Sequence, residues 1–406
     1  MSPELFRNRS FRALWLGQFV SIFGDRLHYL ALLALIVERA HDPGNPAPEL
    51  ALVPAVSFLP TILIGPLAGA LVDTWDTRRV LLASDFLRGI IVLLMIPAAL
   101  HGGLPAALGL VFLLYIANSF FLPARSAILP DLVAPEELVE ANSLATLAGV
   151  AATIAGSALG GILVERTGWR WGFAIDAMTY FISVGFLALL RTRPRERSPR
   201  HATWRAVYRS LGRDVKEGAR LTVHDRLVLG PILALVLLWM AGGALHVAGT
   251  VLLRRRMSGF VSGTGGLLSV LGFGMVAGTL LTAWRGSRRS PRSGMALGLA
   301  GTGVALVLFT RAVSLPALLT VAFVAGIFVA ILLVTTESAV QAAVGAEARG
   351  RVFALRDFST RVAVLAAAGL LGLAVGRSWL TPEIAVGGAG AMLIAAGAAG
   401  YVGWER

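Results

Sequence analysis

The chain reads as long apolar runs separated by short polar breaks. Twelve such runs fall at about 13–37, 50–73, 79–100, 104–124, 138–163, 170–190, 227–252, 262–284, 293–310, 314–338, 352–376 and 382–403. A hydrocarbon core about 30 Å thick needs roughly 20 apolar residues per helix, and the runs match that length. Helix is the form to expect, because an open strand cannot satisfy its backbone groups in lipid. The pattern predicts an all-α membrane protein with twelve transmembrane helices. The first ten residues are polar and basic, and the first run is too long for a signal-peptide core, so no cleavable leader is expected.

The polar breaks divide the chain. The longest, 191–226, separates a six-helix bundle over 1–190 from a second over 227–406. It opens as a spacer with Arg193, Pro194, Arg195, Arg197, Pro199 and Arg200. It continues with Trp204, Val207, Tyr208, Leu211, Val215 and Ala219 at helical spacing, the pattern of an interfacial helix. The halves also share local sequence. Gly65, Gly69 and Trp75, followed by Arg78 and Arg79, match Gly274, Gly278 and Trp284, followed by Arg288 and Arg289, at an offset of 209. Gly161 and Arg166 match Gly372 and Arg377 at 211, as Pro135-Glu136 does Ala346-Glu347. Such duplication predicts two pseudo-symmetric bundles with a substrate site between them near the midplane.

Composition narrows the function classes. Hydrophobic residues make up 56% of the chain and charged residues 15%, with mean hydropathy +0.75; a soluble chain carries about 25% charged residues. Cysteine is absent, which excludes disulfides and thiolate metal sites. The six histidines show no metal-ligand spacing, and neither metal nor cofactor is expected. The net charge of +13 comes from basic residues in short loops, which points to membrane orientation and not to nucleic acid. Placing both termini on one side puts 25 of the 36 basic residues in the loops of that side and 8 opposite. Arg26, Arg88 and Arg361 lie within helices. The positive-inside rule then makes both termini and the 191–226 loop cytoplasmic. Arg254, Arg255 and Arg256 fall outside, as a substrate-attracting rim or as snorkelling anchors. The sequence has no phosphate-cradling loop, zinc motif, nucleophile elbow or hydrolase carboxylate pair, so the chain is not expected to be an enzyme.

Gly69-Ala70-Leu71-Val72-Asp73-Thr74-Trp75-Asp76-Thr77-Arg78-Arg79 resembles the helix 2–3 signature of the major facilitator superfamily. Gly69, Asp73, Arg78 and Arg79 fit that signature, while Thr74 replaces its first Arg and Asp76 its second Gly. The resemblance implies close helix approach at Gly69 and a charged cytoplasmic latch formed by Asp73 with the arginines. Gly156-Ser157-Ala158-Leu159-Gly160-Gly161 resembles the family's antiporter signature, with Ser157 in place of proline. In this reading Gly156, Gly160 and Gly161 let helix backbones approach. Phe121-Leu122-Pro123-Ala124-Arg125, Leu129-Pro130-Asp131, Ala141-Asn142-Ser143-Leu144 and Gly350-Arg351-Val352 extend the likeness. Together they look like the drug:proton antiporter branch with the macrolide and enterobactin exporters, a branch that itself resembles bacterial lysophospholipid transporters.

Ionisable residues inside spans are the sharpest functional pointers, at about 2.5–3.5 kcal/mol each at mid-helix. Gln18, Ser21, Asp25 and His28 form one stripe on the first span. Asp25 and His28 are the candidates for proton coupling, against the alternative that Asp25 is locked to Arg26, Arg88 or Arg361. From the family's cavity-lining helices come Tyr115, Asn118, Trp239, His246 and Glu337 as candidate substrate contacts, Glu337 more as a gate partner for a basic residue. Asp85 with Arg88, and Asp357 with Arg361, are expected as self-neutralising pairs at i, i+3 and i, i+4. Asp176 reads as interfacial. The expectation is a monomeric, proton-coupled exporter of small amphipathic organic compounds in a bacterial cytoplasmic membrane, working by alternating access. The alternatives are a lysophospholipid transporter and, from another class, a non-transporting membrane scaffold or sensor.

Overall fold

The computed structural model describes residues 3–191, 204–285 and 290–403. All twelve predicted runs are helices long and apolar enough to cross a membrane. We label the helices α1 (Arg9–Arg39), α2 (Ala47–Val72), α3 (Thr77–His101), α4 (Gly103–Leu132), α5 (Leu138–Thr167) and α6 (Trp169–Ala188). The amphipathic segment of the central loop is α7 (Trp204–His224). Then follow α8 (Arg226–Ala244), α9 (Phe260–Arg285), α10 (Pro291–Arg311), α11 (Leu315–Ala343), α12 (Ala346–Gly376) and α13 (Pro382–Gly403). A π-helical turn, Leu245–Gly249, carries α8 on into Thr250–Arg256. The spacer residues Arg193 to Arg200, and Arg288 and Arg289 of the repeat, lie outside the described residues.

Local sequence explains where these helices begin. Side-chain oxygens of Asp76, Asp225, Ser290 and Ser314 accept hydrogen bonds from backbone N–H groups in the first turns of α3, α8, α10 and α11. Pro291 and Pro316 sit at first-turn positions, where a missing N–H costs nothing. Two boundaries differ most from the hydropathy pattern. The fourth run, expected to end near 124, continues to Leu132, and the eleventh begins at Ala346, not 352. The added turns carry Arg125, Asp131, Arg349 and Arg351. Hydropathy marks the stretch that lipid surrounds, whereas the hydrogen-bonded helix runs past it into the polar zone.

Two compact units result. The first comprises 1–39 and 56–209, the second 40–55 and 210–406. In the first, α1 packs on α5 and α6, and α3 on α4 and α6. Leu5, Phe11, Leu81, Ile128 and Leu187 anchor a buried apolar cluster at one end. In the second, α11 packs on α9 and α10, α10 on α13, and α8 on α12. The segment 40–55, with the first turns of α2, groups with the second unit because its polar atoms bond there. Asn45 Nδ2 donates to the Val375 carbonyl at 2.9 Å, and His246 Nε2 lies 3.1 Å from the Leu50 carbonyl.

Candidate functional site

Charged and polar side chains cluster inside the first unit, where α1, α3, α4 and α6 meet. Asp85 and Arg88, one turn apart on α3, form an ion pair at 3.0 Å with 0% and 3% of their side chains exposed. The Arg88 guanidinium also donates to Ser21 Oγ at 3.1 Å and to Asn118 Oδ1 at 2.9 Å. It lies between the rings of Phe121 and Tyr180, 4.4 and 4.3 Å from their centroids. Ser183 Oγ donates to the second Asp85 oxygen at 2.6 Å. A planar, multi-donor cation suits this position, since its two terminal nitrogens reach three partners and its central carbon lies near two aromatic rings.

Asp25 and His28 stand at the edge of the cluster, on different partners. Tyr180 Oη donates to Asp25 Oδ1 at 2.5 Å. His28 Nδ1 lies 3.2 Å from Asp176 Oδ2, and both residues are buried. That contact has ion-pair distance without hydrogen-bond alignment, and Nε2 of the ring has no hydrogen-bond partner among the described residues. Asp25 makes no ion pair with Arg26, Arg88 or Arg361 among the described residues, so the locked arrangement is absent. Asp176, expected at the interface, is fully buried. Gly24 explains how it is accommodated, because a Cβ there would collide with Thr179 and Asp176. The sequence carried a missed signal for this partner helix: Asp176, Thr179, Tyr180 and Ser183 follow i, i+3, i+4, i+7 and form the inward face of α6.

Several other expectations take a different form. Gln18 is buried away from the charges, beside a cavity of about 300 Å³ shared with Arg125 and Asn142. Tyr115 is half-buried on α4. Gly156 and Gly160 sit against Phe23, Arg26 and Leu27 of α1, and Gly161 is buried beside them. Gly69, by contrast, meets nothing within 4 Å. Asp73 makes no ion pair among the described residues. Asp76 instead accepts from the Arg79 backbone N–H at 3.0 Å, and Arg78 donates to the Ala188 carbonyl at the end of α6 at 2.5 Å. Asp76 takes the N-cap of α3, where the backbone offers free donors.

In the second unit Asp357 pairs with neighbouring Arg356, not with Arg361, at 2.9 Å. The same guanidinium bonds Glu337 of α11 and lies over the Phe353 ring. Arg356 can bridge two carboxylates at once, which outweighs the single i, i+4 contact that Arg361 offers. Gln341 completes the group by donating to Glu337 at 3.1 Å. Trp239 is exposed, while His246 is half-buried and tied to Leu50. Arg256 donates to the carbonyls of Thr310 and Ala312, both at 2.8 Å. It thereby caps the C-terminus of α10.

A larger cavity of about 770 Å³ lies along α3 and α4. Val80, Leu87, Ile91, Leu113, Ile116 and Ala117 make its apolar walls, and Asp76 and Arg79 stand at one end. Trp75 stacks on Phe120 there, with ring centroids 6.0 Å apart.

Twelve helices long and apolar enough to cross a membrane, grouped in two compact units, define a multi-pass membrane fold. The Major Facilitator Superfamily pattern matches residues 14–278, and the chain belongs to that family. It is similar to the uncharacterized MFS-type transporter YfiS of Bacillus subtilis (strain 168), 27% identical over 99% of this chain and 95% of that one. It is also similar to the lysophospholipid transporter LplT of Cronobacter sakazakii, 27% identical over 98% of this chain and 96% of that one. Among solved structures, a bacterial homologue of the human lysosomal transporter Spinster, inward-facing and unoccupied, matches with TM-score 0.70 and 15% identity. That match covers 98% of this chain and 93% of the other. A POT family transporter in complex with 5-aminolevulinic acid matches with TM-score 0.74 and 12% identity over 96% of each chain. These two likenesses concern the fold.

Proposed function

We propose that the protein is a proton-coupled secondary transporter of amphipathic organic molecules, exporting them by alternating access between its two units. The observation that carries the coupling is the cluster on α1, α3 and α6. Asp85 and Arg88 neutralise each other, whereas His28, Asp176 and Asp25 have partners that can give up or accept a proton. Tyr180 joins the two parts through Asp25 and its contact with Arg88. Loss or gain of one proton at Asp25 or at His28–Asp176 changes the charge balance of a dry helix interface, where charge is costly. Such a change biases how α1 sits against α6. Tyr115, Trp239 and the group around Glu337 are proposed to meet substrate or to gate it.

The test is flux in proteoliposomes under an imposed pH gradient, against a panel of cationic, zwitterionic and anionic amphiphiles. Gradient-driven flux is expected in the wild type. A loss of at least tenfold is expected in both Asp25→Asn and His28→Gln, with the exposed substitution Glu136→Gln neutral. Full pH-dependent flux in both variants would overturn the coupling.

A second reading is transport of lysophospholipids, favoured by the end-to-end similarity to proteins of that name. Saturable, gradient-independent movement of a fluorescent lysophospholipid, with no response to the drug-like members of the panel, would select it.

A further inference from the structure

The cavity along α3 and α4 occupies a seat that the second unit fills with a helix. In that unit Gly274 and Gly278 of α9 press directly on α11, where added Cβ atoms would strike Phe323, Gly326 and Ile327. The matching glycines of α2, Gly65 and Gly69, touch no other helix within 4 Å. An offset of 210, between the two offsets of the internal repeat, carries Phe323, Gly326 and Ile327 onto Leu113, Ile116 and Ala117. Those are three of the α4 residues that line the cavity. The second unit's close helix seat is thus an open apolar groove in the first.

The surroundings indicate what fills it. Leu87 and Leu113 are about half exposed on its walls, an apolar surface that suits a hydrocarbon chain. Arg79 to Ile91 spans roughly 18 Å of helix, the reach of one extended lipid chain. At one end Arg79 is exposed, and its guanidinium has no ion-pair partner among the described residues. It lies in the first turn of α3. Asp76 turns its carboxylate to the Arg79 backbone N–H. Trp75 stands beside them, a residue type suited to headgroup level.

We propose that this groove is a binding site for a phospholipid of the leaflet bordered by the Arg78–Arg79 loop. One acyl chain lies between α3 and α4, and the phosphate rests on Arg79. The site is separate from the charged cluster, and its occupancy is independent of which molecule the protein moves. Arginine pairs with phosphate through two parallel N–H donors, and the chain replaces the packing that α9 supplies on α11.

The test uses the full chain in proteoliposomes containing phosphatidylglycerol with a diazirine at the end of one acyl chain. Irradiation and peptide mapping should place label on 80–91 and 113–120 of the wild type. Arg79→Gln should reduce that label at least threefold. Ala117→Trp, which fills the groove, should abolish it there while other lipid-facing helices stay labelled. Equal labelling by a diazirine-bearing alkyl glucoside would show an unselective apolar cleft and overturn the headgroup assignment. Label absent from both segments in the wild type would overturn the site. A disulfide forming to completion between cysteines placed at Gly69 and Ala117 in the lipid-filled membrane would also overturn it, because α2 would then be the occupant. Flux is not measured, so failure of the transport reading leaves each outcome interpretable.

Discussion

At the scale of single residues, Arg88 holds the first unit's interior together. It joins Asp85, Ser21 and Asn118 and lies against two rings, and its own side chain is almost wholly buried. Removing one member of a buried ion pair leaves an uncompensated charge and costs about 3–5 kcal/mol. Arg88→Ala is therefore expected to lower thermal stability in detergent strongly, and Asp85→Asn in the same chain to recover part of the loss. Arg88→Lys should not substitute, because an ammonium cannot reach Asp85, Ser21 and Asn118 together or lie flat between Phe121 and Tyr180. A melting temperature unchanged in Arg88→Ala would show that the pair is not the anchor. Arg356 differs. It binds carboxylates that are about half exposed, where a pair contributes no more than roughly 1 kcal/mol. Arg356→Ala should leave stability nearly intact, so an effect on flux would point to gating.

At the scale of elements, the repeated glycines have unlike duties. Gly278 lets α9 lie on α11, and a side chain there forces backbones apart. Overpacking of this kind costs about 1–3 kcal/mol or more. Gly278→Val is expected to lower the melting temperature clearly, while Gly69→Val, with nothing within 4 Å, should be tolerated. Equal effects would contradict the difference in packing. Helix starts give a second contrast. Asp76 caps α3, and its replacement by Ala should cost about 1 kcal/mol. Asp73, which meets no cation among the described residues, should be near neutral for stability as Asn. The superfamily-like spacing singles out Asp73, whereas the structure gives the capping role to Asp76.

At the scale of the whole molecule, the basic residues predict an orientation. Twelve spans with both termini on one side put 42–49 opposite the central loop. The absence of cysteine makes this simple to check, because single cysteines at Asp42 and Lys216 report on their own. They should react with an impermeant thiol reagent from opposite faces. Reaction from the same face would break the twelve-span topology. The division into units adds that 40–55 belongs by its bonds with the second unit, although α2 continues into the first.

What the sequence determined by itself was set by solvent: hydrocarbon demands about 20 apolar residues per crossing and repels charge, so spans and buried ionisable residues are visible in one dimension. Gln18, Ser21, Asp25 and His28 could be placed on one stripe for that reason. Which partners they take was decided by tertiary structure, because partner choice depends on how two helices are rotated and how closely glycines let them approach. Gly24 and Gly156 bring α6 and α5 against α1, and so His28 meets Asp176 while Asp25 meets Tyr180. The same reason explains the exchanged pairings. Asp357 and Arg361 have the right spacing, yet Arg356 lies nearer to Glu337 and takes both acids. The two matched glycine pairs differ only in whether another helix occupies the space in front of them, a property of the packed bundle that no single helix carries.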